Sequence, residues 1–195
     1  MKASSALGLD LHAGHAVVVI LKGTRAAPQM VLRHEIELAD PWVRESRHPY
    51  HEELGDPSPE ARSARRRGCA AARRAARSAV RRLVREMRSH DLDPRGAAIV
   101  VASVTDPERI PHAHPRAHAE ESKLYREVVD AALRSCGLRV ATFLAGDVRR
   151  AAVKGLGRSA RDVDAMLKVF VSTIGTPWRA PEKQAALAAW LALPA

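Results

Sequence analysis

Residues 97–104, AAIVVASV, form an unbroken apolar run. A strand with one wet face alternates apolar and polar residues, whereas a strand without a polar face is covered on both sides. The run therefore predicts a strand in the middle of a sheet, and the rest of the chain must supply a layer for each face.

Upstream, 6–11 (ALGLDL) and 16–22 (AVVVILK) are two short strand signals, and the HAGH between them carries a glycine suited to a tight turn, so they read as a hairpin. Residues 30–38 (MVLRHEIEL) alternate well enough for a third strand. Pro41, Pro49, Pro57, Pro59 and Gly55 make 40–60 a loop. Asp56 or Ser58 then caps a long helix over 59–90, with Glu60 in its first turn. Its apolar positions, Cys69, Ala72, Ala76, Val80, Leu83 and Met87, recur at steps of three and four. Arg66, Arg73, Arg77, Arg81, Arg85 and Arg88 form a second stripe on a neighbouring face, Gly68 is a mild weakness, and Asp91, Asp93 and Pro94 end the helix.

Beyond the central strand, 105–118 (TDPERIPHAHPRAH) reads as an irregular loop broken by three prolines. Residues 119–136 form an amphipathic helix through Leu124, Val128, Ala131, Ala132 and Cys136, stopped by Gly137. Residues 138–144 are a fifth strand, Asp147 starts a short helix (DVRRAAVK), GLGRS is a loop, and helices follow over 160–173 and 181–192. The order, written β-β-β-α-β-α-β-α-α, predicts an α/β fold with a five-stranded mixed sheet and helices on both faces. A chain of 195 residues has room for one domain, 1–195, with a full core.

The formal net charge is +10, nearly all of it arginine. Such a surface attracts polyanions, nucleic acid foremost, with a membrane surface or simple solubility as alternatives. No apolar run approaches the roughly 18 residues of a spanning helix, and the N-terminus has too short an apolar stretch for a signal peptide. Cys69 and Cys136 lie far apart without a CxxC pairing, so they read as free thiols of a reducing, cytoplasmic setting.

Two stretches carry a family resemblance. GLDLHAGHAVVVIL is similar to the opening strand and hairpin of the RuvC-type Holliday-junction resolvases, members of the ribonuclease H-like superfamily. FLAGDVRRAAVKGLGRSARDVDAML, residues 143–167, resembles a second stretch of that family through Asp147, Val148, Arg149, Arg150, Val153, Gly155, Gly157, Arg158, Val163 and Met166, with a one-residue shift on each side of the glycines. The resemblance implies a ribonuclease H-like fold and a metal-dependent, structure-specific DNA endonuclease acting as a homodimer on branched DNA. In that chemistry two magnesium or manganese ions about 4 Å apart stabilise the attacking and leaving oxygens of a phosphodiester, and hard ions want carboxylate oxygens.

The family draws its acids from the first strand, the end of the fourth strand and the last helix. Asp10 fits the first place, in an apolar strand where a carboxylate is costly to bury alone; the alternative is a strand-end residue making a turn bond. The fourth strand has no Glu, and the nearest acid is Asp106 in the following loop. In the last helix, RAPEKQAALAAW, Glu182 is one candidate ligand, and the position three residues on is Ala185. A substitute donor set is His112, His114 and His118 with Glu120 and Glu121, where imidazoles would favour manganese, zinc or another transition metal; the alternative is an exposed loop whose histidines do nothing specific. His12 and His15, beside Asp10, have the same two readings. Phosphate contacts are expected from Arg149, Arg150, Lys154 and Arg158, and from Arg73, Arg77 and Arg81 on the long helix, whose apolar stripe packs on the sheet or pairs two subunits.

Two functions stay open: an active endonuclease, or a degenerate relative that binds nucleic acid or a protein partner without cutting. A third, one half of an actin-like or sugar-kinase-like protein, shares the opening meander but lacks a second one and a second glycine-rich phosphate loop.

Overall fold

The computed structural model describes residues 2–195. Five strands, β1 (Ala3–His12), β2 (His15–Gly23), β3 (Pro28–Glu37), β4 (Leu92–Val101) and β5 (Arg139–Leu144), form one sheet in the order β3-β2-β1-β4-β5. β1–β2 and β2–β3 are antiparallel, while β1–β4 and β4–β5 are parallel. The hairpin closes as His12 pairs with His15, and Gly14, at φ +80°, takes the left-handed turn position. The helices are α1 (Pro59–Ser89), α2 (Ala113–Ser135), α3 (Val148–Leu156), α4 (Ala160–Ile174) and α5 (Ala180–Ala192). This is the expected α/β, ribonuclease H-like mixed sheet with helices on both faces, and the three helices read after the fifth strand are all present, one more than the written order β-β-β-α-β-α-β-α-α counts. No described helix is long and apolar enough to cross a membrane.

Side chains alternate across a strand, which sorts the core into two layers. Leu7, Leu9, Leu11, Val18, Ile20, Ile99 and Val101 pack against α1 and α2, while Ala6, Val19, Leu21, Ala98 and Val100 pack against α3, α4 and α5. The apolar stripe of α1 lies on the sheet: Ala72, Ala76, Val80, Leu83 and Met87 are all buried. Ser58 caps this helix by accepting from the Ala61 N–H at 3.1 Å. Gly68 is no weakness there, because a Cβ would come within 2.6 Å of the Glu45 carbonyl in the short 3-10 turn Arg44–Ser46 that crosses the helix. On the other face a Cβ at Gly8 would stand 1.8 Å from the Ala185 carbonyl, so the alanine-rich α5 lies directly on β1. Trp190 is buried beneath, its indole N–H donating to the Arg25 carbonyl at 2.9 Å.

Strand and helix ends shift by a few residues from the sequence reading, and the two largest shifts, at the starts of β4 and α2, both involve prolines. β4 starts at Leu92, not 97, and ends at Val101; Pro94 falls where the β1–β4 register shifts between Ser5 and Ala6, a bulge that needs no ladder N–H from it. α2 starts at Ala113, six residues early, because Pro115 sits in the first turn, where a helix N–H has no partner to lose. The supposed loop 105–118 is therefore helical in its second half.

Candidate functional site

Asp10 stands at the C-terminal end of β1, beside Val17 of β2 and Val100 of β4. Its neighbours Leu9 and Leu11 face α1 and α2, so Asp10 faces the α5 side. It is 5% exposed. Its Oδ1 is 3.0 Å from His12 Nε2, and its Oδ2 is buried without a hydrogen-bond partner. The hairpin stacks His12 on His15, ring centroids 4.8 Å apart. The bond to Asp10 raises the His12 pKa above the ordinary histidine value; partial burial works against it, and the charges of Asp10 and Glu35 add to it.

Glu182 lies in the first turn of α5 on the same side of the sheet, buried. Its Oε2 accepts from the Arg179 N–H at 2.7 Å, closing a capping box, and its Oε1 is 3.8 Å from Arg33 Nη1. Arg33 also donates to the Pro177 carbonyl at 2.8 Å. With Val17, Glu35 and Pro177 these two side chains line a shallow hollow. Asp106 is exposed on the connection after β4, where it accepts from the Glu108 N–H at 3.3 Å. The β4 residue beside Asp10 is Val100, an apolar side chain that offers no ligand atom. One carboxylate carrying an imidazole, a second carrying an arginine and a peptide N–H, and a valine between the strands do not fit a pair of divalent ions.

Among the described residues, two groups bring three candidate ligand atoms within 4.8 Å of one another, and both lie on the other layer: His51, His114 and His118, and His48, His51 and Glu121. His114 and His118 are one turn apart on α2, hence on one face. His48 caps, and His51 lies within, the 3-10 turn Pro49–Glu53, where residues three apart eclipse. Between the two pairs Glu121, 1% exposed, accepts from His48 Nδ1 at 3.0 Å and from His51 Nδ1 at 2.7 Å. His118 Nδ1 is 3.8 Å away. Burial, then the neighbouring His51, lowers the His118 pKa and favours its neutral ring. Tyr125, one turn further along α2, donates to the Ser46 carbonyl and ties the same connection down. His112 is the exposed N-cap of α2, outside the cluster. His48 and His51 escaped the sequence reading because proline marked their segment as loop; the signal was a His-x-x-His in register with His-x-x-x-His-x-x-Glu.

The basic residues divide sharply. Arg149 is bonded to Asp164 at 2.7 Å and Arg150 to Asp147 at 2.8 Å. Arg158 is half-buried over the Trp190 ring and donates to the Ala26 carbonyl. Lys154 is exposed. On α1, Arg66, Arg73, Arg77, Arg81 and Arg85 are all exposed, and none forms an ion pair among the described residues, whereas Arg65, Arg67 and Arg82 do.

No protein-family model and no curated protein sequence matches the chain. Solved structures do match in fold. The chain superposes on Thermus thermophilus RuvC in complex with a Holliday junction substrate with a TM-score of 0.57 and 12% identity, covering 98% of this chain and 99% of that one. A second Thermus thermophilus RuvC structure gives 0.55 and 12% over the same shares. The yeast mitochondrial Holliday junction resolvase Ydc2 gives 0.50 and 8%, covering 97% of this chain and 78% of that one. These likenesses establish a RuvC-like fold.

Proposed function

We propose that this chain is a DNA-binding protein on a resolvase scaffold that does not cut phosphodiesters by the two-metal route. The observation that carries the reading is the neighbourhood of Asp10, where Val100 occupies the adjacent strand and His12 holds one carboxylate oxygen. A side chain that is cationic when protonated already sits on Asp10, and Arg33 approaches Glu182; each carboxylate thus has a partner of its own rather than a shared metal. Binding is supported by the unpaired arginine row of α1 and the net charge of +10, since arginines without carboxylate partners are free to neutralise phosphates. Branched DNA, the substrate named for the Thermus RuvC complex, is the ligand this reading selects. A homodimer matches the two-fold symmetry of a junction.

The second reading, a magnesium- or manganese-dependent endonuclease, is favoured by one observation. Asp10 Oδ2 is a buried oxygen with no protein partner, a ligand atom to spare.

Incubation with a synthetic four-way junction and either metal, comparing the natural chain with Asp10→Asn, separates the two. The expected result is salt-sensitive binding with no cleavage by either protein. Cleavage lost in Asp10→Asn would establish the endonuclease, and absence of both binding and cleavage would dismiss DNA as the ligand.

A further inference from the structure

We propose that His51, His114 and His118 hold one transition-metal ion of the zinc class, with Glu121 as the buried carboxylate that orients the imidazole of His51. Four rings crowd this spot: centroids are 4.5 Å apart for His51 and His118, 4.6 Å for His114 and His118, 5.2 Å for His51 and His114, and 5.3 Å for His48 and His51. The rings meet edge to face, at interplanar angles from 66° to 88°. That is more imidazole than one carboxylate can bond. His48 and His51 take both oxygens of Glu121, while His118 stands beyond hydrogen-bond reach and His114 meets only neighbouring rings.

A nearly fully buried carboxylate is costly unless paired with positive charge. A metal-bound histidine whose other ring nitrogen donates to a carboxylate is a recurrent pairing that fixes ring orientation and strengthens the ligand. Glu121 Oε1 on His51 Nδ1 at 2.7 Å leaves His51 Nε2 for the ion. Three imidazoles select zinc, cobalt, nickel or copper over magnesium or calcium, which prefer oxygen. Three protein ligands also leave a fourth position open to water. The ligands come from two segments, so the ion would pin the 3-10 turn Pro49–Glu53 to the first turns of α2. This site shares no residue with the Asp10 side of the sheet.

The test uses the untagged full chain, stripped with a chelator and dialysed, then titrated with cobalt(II) as a visible probe and with zinc in thermal unfolding. The expected result is a tetrahedral cobalt band saturating at one equivalent, displaced by zinc, and a zinc-dependent rise in Tm. His114→Ala and His118→Ala, exposed positions whose stability in chelator should match the natural chain, abolish both signals. Glu121→Gln weakens binding about 10- to 100-fold, and Asp10→Asn leaves it unchanged. No cobalt band and no zinc-dependent shift would overturn the site, as would undiminished binding in both His114→Ala and His118→Ala. An equal response to magnesium would overturn the metal class.

Discussion

Asp10 and Glu121 are both buried carboxylates held by imidazole, yet they are built in different ways. Asp10 projects from a central strand, with valines on both neighbouring strands, one histidine on one oxygen and nothing on the other. Glu121 projects from a helix into four histidines from two segments, with both oxygens bonded. The strand position belongs to the scaffold, since the sheet places a residue there whatever its chemistry. The helix position gathers, among the described residues, the groups of candidate ligand atoms that lie within 4.8 Å of one another. The place where the resemblance puts the acids is therefore not where the candidate metal ligands of this protein lie together.

That contrast depends on α5 being seated directly on the strand of Asp10. Gly8→Val tests the seating with the largest expected effect. Its Cβ would meet backbone, the Ala185 carbonyl at 1.8 Å, which cannot swing aside. A loss of about 3 kcal/mol or more in urea unfolding is expected, at the upper end of overpacking costs. A stable Gly8→Val would mean that α5 does not cover β1. Glu121→Ala comes next, costing about 2 kcal/mol in chelator. Two hydrogen bonds from histidines are removed, but those rings are partly exposed and can turn to water, so the loss falls below that of a fully buried pair. If Glu121→Ala is neutral, the cluster is a surface coincidence.

How far the sequence could be read follows the same division. Asp10 on its strand, the hairpin at Gly14 and the two-sided sheet were all legible, because period-two alternation and unbroken apolar runs report burial directly. The histidine cluster was half legible. His114 and His118 could be picked out as possible ligands, but Pro115 disguised the start of α2 and so hid that they share a helix face. His48 and His51 are distant in sequence, and only the packing of α2 against the connection after β3 brings them in. Gly68 likewise reads as a helix defect until the crossing turn at Glu45 is visible. The pairing of Arg149 and Arg150 with Asp164 and Asp147 depends on tertiary and capping geometry that spacing alone does not report.

The arginines set a second pair of regions against each other. Replacing Arg73, Arg77 and Arg81 together by Ala should lower junction affinity by about tenfold and reduce the salt slope by roughly 0.9 for each phosphate no longer neutralised. Replacing Arg149 and Arg150 should change the slope less, because each already carries a carboxylate partner. The reverse ranking would move the DNA surface from α1 to α3. Asp10→Asn should cost under about 1 kcal/mol, since only one of its two oxygens is bonded and the amide keeps its shape. A cost above that of Glu121→Ala would erase the contrast between the two carboxylates.

The smallest effect is a pH dependence centred on His12. Its pKa is raised in the folded chain, chiefly by the bond to Asp10, so the folded state favours the protonated ring. That stabilisation is present in full below the ordinary histidine pKa and fades as pH rises through the higher folded value. The His12 side chain is 40% exposed, and solvent screening holds the contribution to about 0.5 kcal/mol. His118 works in the opposite sense, because its lowered pKa makes acid destabilising. The net curve of the natural chain is therefore uninformative, and the difference between it and His12→Gln is the quantity to measure, in urea unfolding at about pH 5.5 and about pH 8.5. The natural chain should exceed His12→Gln by more at the lower pH, and the gap should vanish when both carry Asp10→Asn. A gap that persists in the Asp10→Asn background would show that His12 draws its charge preference from Glu35 instead, and that Asp10 is free to take another cation.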